Sequence, residues 1–472
     1  MTLKEIPEEY RPIADKRDKE MKEAAKKVIP IWLYTDDDDK KKIDVIKFAK
    51  TIIAENPMVN NKFSEKGYWY DTKNGYWLTD TDTHLDKIIA NSMLSVGKWQ
   101  PNVFSSVKKL VNIKITSEAD NNPFDHSNPY LISFKNGTYN LKDGTTTNNS
   151  DKNYILQGHN YNISNGNAPM TDKWFEESFG SKEAANVVKT YIGYTFIRTY
   201  GSFQKFMILS GNGGEGKSTI LNYLRSLIGA SNTSNVDLAA LTNQKDARFM
   251  TSKLYQKDLN YFADIGDKFM DQTSILKGLT GGDAITGEFK NKDPFEFINH
   301  AKLIFSANSL PAFNDFTNGF LRRPIIAEVH KIKDFDTKFS MKQIEEERGA
   351  FAYECMQLFK QLLDGNYPGK LDKWGFPTTS EMQEALSRWI IENDMVSRWL
   401  NEKCDTSDST AFEKGIYVYD DYKAFCTSEG GHPLGKQKFN VSLRKRGIDT
   451  NAQKKIKGKK YRGYKGIRLL NN

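Results

Sequence analysis

The 472-residue sequence holds three cysteines, Cys355, Cys404 and Cys426, and no two of them form a CxxC pair. They cannot build a disulfide framework, and a reduced, cytoplasmic setting is the expectation. The six histidines are scattered, so no His/Cys cluster announces a metal centre. No apolar run approaches the length that crosses a bilayer, and the opening "MTLKEIPEEYRP" lacks the apolar stretch of a secretory signal. A membrane partner is therefore not expected. No internal repeat is present. What is left is 38% hydrophobic and 27% charged residues, the composition of a soluble chain with room for roughly two to four domains.

The charge is more informative than the composition. The whole chain carries +8, yet Lys436 to Arg468 alone holds 13 Lys/Arg against one acid, Asp449, which leaves the remainder net negative. Such a patch is the footprint of a nucleic-acid-binding module. A disordered basic tail would not interleave Phe439, Tyr461, Tyr464 and Ile467. The order of a helix, a turn at "EGGHPLG", a helix over 436–446 and two basic strand-like arms fits a winged helix-turn-helix. Lys436, Lys438, Arg444 and Arg446 lie on or beside the candidate recognition helix, and Lys457, Lys459, Lys460 and Arg462 would form the wing.

Upstream, "DDDDKKK" at 36–42 reads as a solvated loop or helix start without a function. Apolar residues at helical spacing predict a helix over 43–55. "KGYWYDTKNGYWL" and "PYLISFKNGTYNL" read as strand pairs turning at Asn-Gly. The polar stretch 143–153 reads as a loop or linker. One helical pattern runs from Lys173 to about Arg198 and leads to the strand "KFMILS". Another spans 346–363 and takes Cys355 into its apolar face. A capping box, Thr378 to Glu381, opens the next helix.

The most specific stretch is "SGNGGEGKSTI". Gly211, Asn212, Gly213, Gly214, Glu215, Gly216, Lys217 and Ser218 match G-x-x-x-x-G-K-[ST] throughout, with Thr219 following. A chain of this length shows that pattern by chance roughly once in thirty, but this copy sits between an apolar strand and an amphipathic helix, where its mechanism requires it. The glycines let backbone N–H groups turn onto phosphates, and the helix N-terminus favours negative charge. Lys217 would reach the β/γ-phosphates of ATP, and Ser218 would hold Mg²⁺. An acid is needed at the end of a second strand. "LNYFADIGD" offers Asp264 for Mg²⁺ and water, with Asp267 behind it. "AKLIFSAN" ends on Asn308, placed to sense the γ-phosphate, and "NGFLRRP" presents Arg322 and Arg323, either of which could reach a neighbouring subunit's nucleotide.

Taken together these residues resemble a superfamily 3 helicase of the AAA+ class. The likeness is nearest to the primase-helicases and replication initiators of phages, plasmids and staphylococcal pathogenicity islands, related to poxvirus primase-helicases. It runs from about residue 60 to the end through "ISFKNGTYNL", "YIGYTFI", "LKGLTGGDAITGEFKNKDPFEF" and "IYVYDDYKAFCTSEGGHPLGKQKF". The resemblance implies an α/β fold: a variable segment 1–55, an α+β domain 56–170, a helical collar 171–200, an ATPase core 201–335, a helical lid 336–392 and a winged helix 393–472. It implies a homo-hexamer that moves along single-stranded DNA and binds duplex DNA at a replication origin, with host or element-encoded primase and replisome proteins as partners. In that family the segment after the second acid forms a hairpin in the central channel. Here Lys290 and Lys292 at its tip would grip backbone phosphates, and Lys277 is a candidate for acting on the neighbouring subunit's nucleotide.

Two rival readings stay open. Asp80 and Asp82, with His84 nearby, are spaced like the metal-binding aspartates of archaeal-eukaryotic primases, which would make the chain a primase-helicase. Against this, Asp82 or Thr83 caps the helix "LDKIIANSML", and the approach to the ATPase is short for a primase. A DNA-binding initiator or regulator that uses ATP only as an assembly switch is the other. A small-molecule kinase would leave the basic patch unexplained.

Overall fold

The computed structural model describes residues 29–61, 66–117, 123–243, 245–266, 269–270 and 272–470. The chain divides into two compact units, one of Met1–Asn128, Ser133–Thr138 and Thr146–Gly158, the other of Pro129–Ile132, Tyr139–Thr145 and His159–Asn472. Both mix helices and sheets.

In the first unit the run at 36–42 forms the turn and second arm of a strand pair, Leu33–Thr35 with Lys41–Ile43, and is no helix start. Asp44 then caps α1 (Val45–Glu55) by accepting from Ile46 N and Lys47 N. Strands β1 (Met58–Asn61), β2 (Lys66–Asp71) and β3 (Tyr76–Thr79) pair antiparallel. The turn at "TKNG" closes because Asp71 accepts from Lys73 N and Asn74 N while Gly75 takes φ +82°. Helices α2 (Thr81–Ser95) and α3 (Pro101–Ile115) bury Leu85, Ile89, Val107 and Val111 with Trp32, Phe48 and Ile52 of the segment before β1. The cap of α2 is Asp80, not the expected Asp82 or Thr83. Asp80 accepts from Thr83 N from a left-handed backbone, φ 70°, a conformation Asp tolerates better than most residues.

In the second unit the helical pattern after Lys173 is broken in two. Helix α4 (Pro169–Phe179) ends at Gly180, φ +78°, and Ser181 caps α5 (Lys182–Thr195) by accepting from Ala184 N. A Gly–Ser pair supplies a left-handed stop and a new start in two residues, which the apolar periodicity alone could not reveal.

Five parallel strands form the sheet of this unit: β4 (Phe206–Ser210), β5 (Thr233–Ser234), β6 (Leu259–Phe262), β7 (Lys302–Ala307) and β8 (Pro324–Glu328). Their spatial order is β5-β6-β7-β4-β8. The central strands are buried on both faces, as covered parallel sheets require, so "FMIL" and "LIFSA" read as continuous buried runs rather than alternations. Helix α6 (Lys217–Ile228) follows β4, and α7 (Thr273–Gly281) leads to an antiparallel hairpin, Ala284–Gly287 with Phe295–Ile298. Helix α8 (Arg348–Leu363) packs on α5 so closely that a Cβ at Gly193 would stand 2.1 Å from the Cys355 carbonyl oxygen. Cys355 is fully buried there.

Helix α9 (Ser380–Asn393) is capped by Thr379, which accepts from Met382 N, one residue later than the Thr378 of the expected capping box. Beyond it α10 (Met395–Lys403), α11 (Gly415–Ser428) and α12 (Lys436–Lys445) bury Trp399, Tyr422, Phe439 and Leu443 together with Tyr464 and Ile467. A hairpin, Asp449–Ile456 with Lys459–Lys465, completes this region. Its two-residue turn is Lys457–Gly458, both at positive φ, as tight hairpin turns demand.

One buried charge stands out in the sheet. Lys302 is wholly buried at the head of β7, donating to Ile197 O at 2.8 Å and His300 O at 2.9 Å, with the Tyr194 ring 4.4 Å away. Burial drives its pKa down to about 7, and the pull of Asp258 recovers only part of that. An unfolded lysine titrates near about 10.4. Below pH 7 the native state therefore carries the full cost of a buried charge. As pH rises above 7 the native lysine loses its proton before the unfolded one, and that cost is relieved. The stability of wild type relative to Lys302→Met should accordingly rise between pH 7 and 9, by on the order of 1–2 kcal/mol in urea melts. A pH-independent difference would show that Lys302 keeps an ordinary pKa.

Candidate nucleotide site and nucleic-acid surfaces

The loop Gly211–Gly216 leaves β4 at the carboxyl edge of the parallel sheet, where such sheets place their ligands. Gly213, Gly214 and Gly216 adopt φ of 112°, 84° and 91°, and beyond their immediate chain neighbours no atom lies within 4 Å of where their Cβ atoms would be. The backbone thus forms an open cradle at the N-terminus of α6, a geometry suited to an anion. Lys217 opens that helix with its side chain mostly buried, and its Nζ donates to Gly211 O and to Glu215 Oε2, each at 2.9 Å. Ser218 and Asn212 are exposed beside it, and Thr219 is half-buried. These residues fit a polyphosphate chemically, with a cation, a helix terminus and inward-turning glycines converging on one loop.

The same edge gathers the next two candidates. Gly211 N donates to Ala307 O, the last residue of β7. Asn308 follows directly, and its Nδ2 donates to Asp264 Oδ1 at 3.2 Å. Asp264 lies just past β6 in a left-handed conformation, φ 56°, held by Asp264 N donating to Ser306 Oγ and Ile265 N to Ser306 O. A non-glycine residue held there by its surroundings is the kind of strain found at functional sites. The loop, Asn308 and Asp264 are therefore linked through one strand. Asp267 lies outside the described residues.

The two arginines are not equivalent. Arg323 is 4% exposed, with Nε donating to Thr280 Oγ1 at 2.8 Å and its other nitrogens to Gly319 O, Lys277 O and Gln204 Oε1. It braces α7 against β8. Arg322 is half-buried and shares Gln204. Lys277 pairs with Asp315 at 2.8 Å. Burial opposes ionisation of Asp315, but the bonds from Lys277, Thr317 and Thr273 prevail and hold its carboxyl down at about 2.

Lys290 and Lys292 are exposed at the tip of the hairpin after α7, with Asn291 between them at φ 62°. Phe289 and Phe295 stack at 5.0 Å behind the tip. In the C-terminal region Lys436, Lys438, Arg444, Lys457, Lys459, Lys460 and Arg462 are exposed. Lys455 stands directly opposite Lys460 in the hairpin ladder, and like charges so placed repel unless an anion lies across them. Arg446 is exposed as well, but it forms an ion pair with Asp394 at 2.5 Å and donates to Ser397 and Ser442. In the first unit Asp80 is occupied as a helix cap, Asp82 lies 3.7 Å from Lys108, and His84 stacks on Trp69 at 3.5 Å. Among the described residues no group of three or more His, Cys, Asp or Glu is placed to hold a metal ion. No helix among them is long and apolar enough to cross a membrane.

Sequence reasoning missed Ser306 and Asp315. The signal for Ser306 is faint, a single hydroxyl inside the buried strand "KLIFSA". Asp315 lies in an irregular segment that carries no pattern.

A family model described as "D5 N terminal like" matches residues 56–180, and a "Family of unknown function (DUF5906)" matches residues 209–323. The chain is 23% identical over 321 residues to "Putative helicase L207/L206" of Acanthamoeba polyphaga mimivirus, a match over 58% of this chain and 33% of that protein. The chain thus spans about a third of that relative's length. The apo structure of the NrS-1 C-terminal region (305-718) superposes with a TM-score of 0.50 at 14% identity, covering 89% of this chain and 99% of that one. A further apo form of that region gives 0.49 over 88% and 97%. At this identity the likeness is one of fold.

The arginine geometry sets a test by mutation. Arg323→Ala should cost roughly 2–4 kcal/mol of folding stability, since it removes a buried charge and leaves several acceptors unpaired. Arg322→Ala should cost less than about 1 kcal/mol. Equal losses in denaturant melts would contradict the assignment of Arg323 to the scaffold.

Proposed function

We propose that the chain is an ATP-driven replicative DNA helicase of the superfamily 3, AAA+ type, serving a virus, phage or other mobile element. The observation that carries this reading is the linkage of the phosphate cradle to Asn308 and Asp264 at one sheet edge. The likeness to a viral protein named as a helicase supports the same reading.

In this reading the amides of Gly213 to Gly216 and Lys217 bind the phosphates of ATP, and Ser218 with Asp264 would hold Mg²⁺. The bound metal supplies neutralisation of charge that develops on the phosphates. Asp264 orients the attacking water, and Asn308 links its carboxylate to the phosphate loop. Arg322 is the candidate to act on a neighbouring subunit's nucleotide, because Arg323 is taken up by the scaffold. Lys277 contributes to the same face only if its pair with Asp315 opens. A homo-hexameric ring would then carry the Lys290/Lys292 tips against the backbone of single-stranded DNA. The C-terminal helices and hairpin act as a winged helix that holds duplex DNA, with the repulsion between Lys455 and Lys460 relieved by phosphate contacts. Arg446, tied to Asp394, contributes to that surface as support. The occupied Asp80 and the stacked His84 favour the helicase over a primase-helicase.

ATP-dependent strand separation by wild type distinguishes a motor from an ATP-switched binder, and double substitution of Lys290 and Lys292 by Ala tests the hairpin as its translocating element. A motor should keep ATP hydrolysis within roughly twofold while strand separation falls by about tenfold or more, because each lysine removed is a lost phosphate contact. Strand separation that survives the double substitution rejects the hairpin as the translocating element.

A further inference from the structure

Glu215 makes an arrangement that the motif does not require. Its Oε2 accepts from Gly213 N at 2.9 Å and from Lys217 Nζ at 2.9 Å. Both donors belong to the set that would bind a phosphate, a loop amide and the loop lysine. The carboxylate has a side-chain exposure of 10% and the ammonium 9%, so the pair is seated inside the cradle rather than on its rim. A Cβ at Gly211 would stand 3.0 Å from Glu215 Cδ and 3.1 Å from Lys217 Nζ, so the glycine leaves the room the pair needs. Burial alone would raise the pKa of Glu215. The Lys217 bond and the backbone amides outweigh it and hold the group ionised down to about pH 2, so the charge is present at every working pH.

We propose that Glu215 is an internal stand-in for phosphate: its carboxylate occupies the loop's anion donors in the nucleotide-free state and must be displaced when a nucleoside triphosphate or other polyphosphate enters. The role rests on the nucleotide reading above and deepens it. An anion that takes Gly213 N and Lys217 Nζ replaces a bond already made. Glu215 thereby lowers affinity for weakly charged competitors and keeps Lys217 buried and oriented while the site waits. The exchange is one hydrogen-bonded anion for another and involves no covalent step. The neutral isostere would keep the shape of the loop while weakening its hold on Lys217, so the cost of displacement falls.

The test compares wild type, Glu215→Gln, Lys217→Met and the double variant in the full chain, with a fluorescent ATP analogue and inorganic pyrophosphate as probes and thermal melting without ligand. Glu215→Gln should bind both probes roughly five- to tenfold more tightly, the scale of one charge-assisted hydrogen bond lost from the free state. Its unliganded melting temperature should fall, because the pair with Lys217 is gone. In the Lys217→Met background, Glu215→Gln should give little of that gain, since no ammonium remains to be released. Binding by Glu215→Gln that is no tighter than wild type overturns the proposal. A gain that persists undiminished in the Lys217→Met background, or an unliganded melting temperature that rises, assigns the effect to plain repulsion and overturns it too. If no variant and not even wild type binds either probe, the nucleotide reading itself fails, and the stand-in role fails with it.

Discussion

The pairing of β4 with β7, continued past the strand by a backbone hydrogen bond from Gly211 N to Ala307 O, places the phosphate loop beside Asn308. It ties the start of the phosphate loop to the end of the neighbouring buried strand. Just past that strand end Asn308 reaches Asp264, and within the strand Ser306 pins the backbone on which Asp264 sits. The bond can hold this geometry because the two strands it joins are buried on both faces and cannot shift without opening the core. The cost of the arrangement appears as strain in the left-handed Asp264, whereas the positive-φ glycines of the loop adopt their backbone without it. A packed sheet offsets that strain, and its edge is where the candidate groups converge.

The charges follow the same division between scaffold and surface. Lys302, Arg323 and Lys205 are buried against partners within the chain, Lys205 with Arg322 O and Asp372, and they serve the fold. The lysines of the hairpin tip and of the C-terminal ladder are exposed, and Lys455 stands opposite Lys460 across the ladder. In the proposed reading, an external polyanion offsets the cost of gathering that charge on one surface. Arg446 lies in the basic stretch by sequence, yet its partners are within the chain.

Much of this was legible in the sequence because local rules decide it. The phosphate loop needs its glycines at fixed spacing, the N-terminal strand pairs need Asn-Gly turns, and the buried strands need unbroken apolar runs. What escaped depends on single residues that act through tertiary neighbours. Gly180 and Ser181 split a continuous helical pattern, and Asp80 takes a cap by adopting a left-handed backbone. Arg322 and Arg323 are adjacent and chemically identical, so only the packing of α7 against β8 separates them. Glu215 reads as a filler position of the motif until its distance to Lys217 is known.

If the cradle at Gly211 to Lys217 drives strand separation, a forked DNA duplex with ATP and Mg²⁺ reads it out directly. Wild type is compared with Lys217→Ala at equal protein and equal DNA binding. Wild type should separate the strands in an ATP-dependent manner, and the variant should not. Separation by Lys217→Ala at the wild-type rate, or none by wild type under conditions where it hydrolyses ATP on DNA, would contradict the motor.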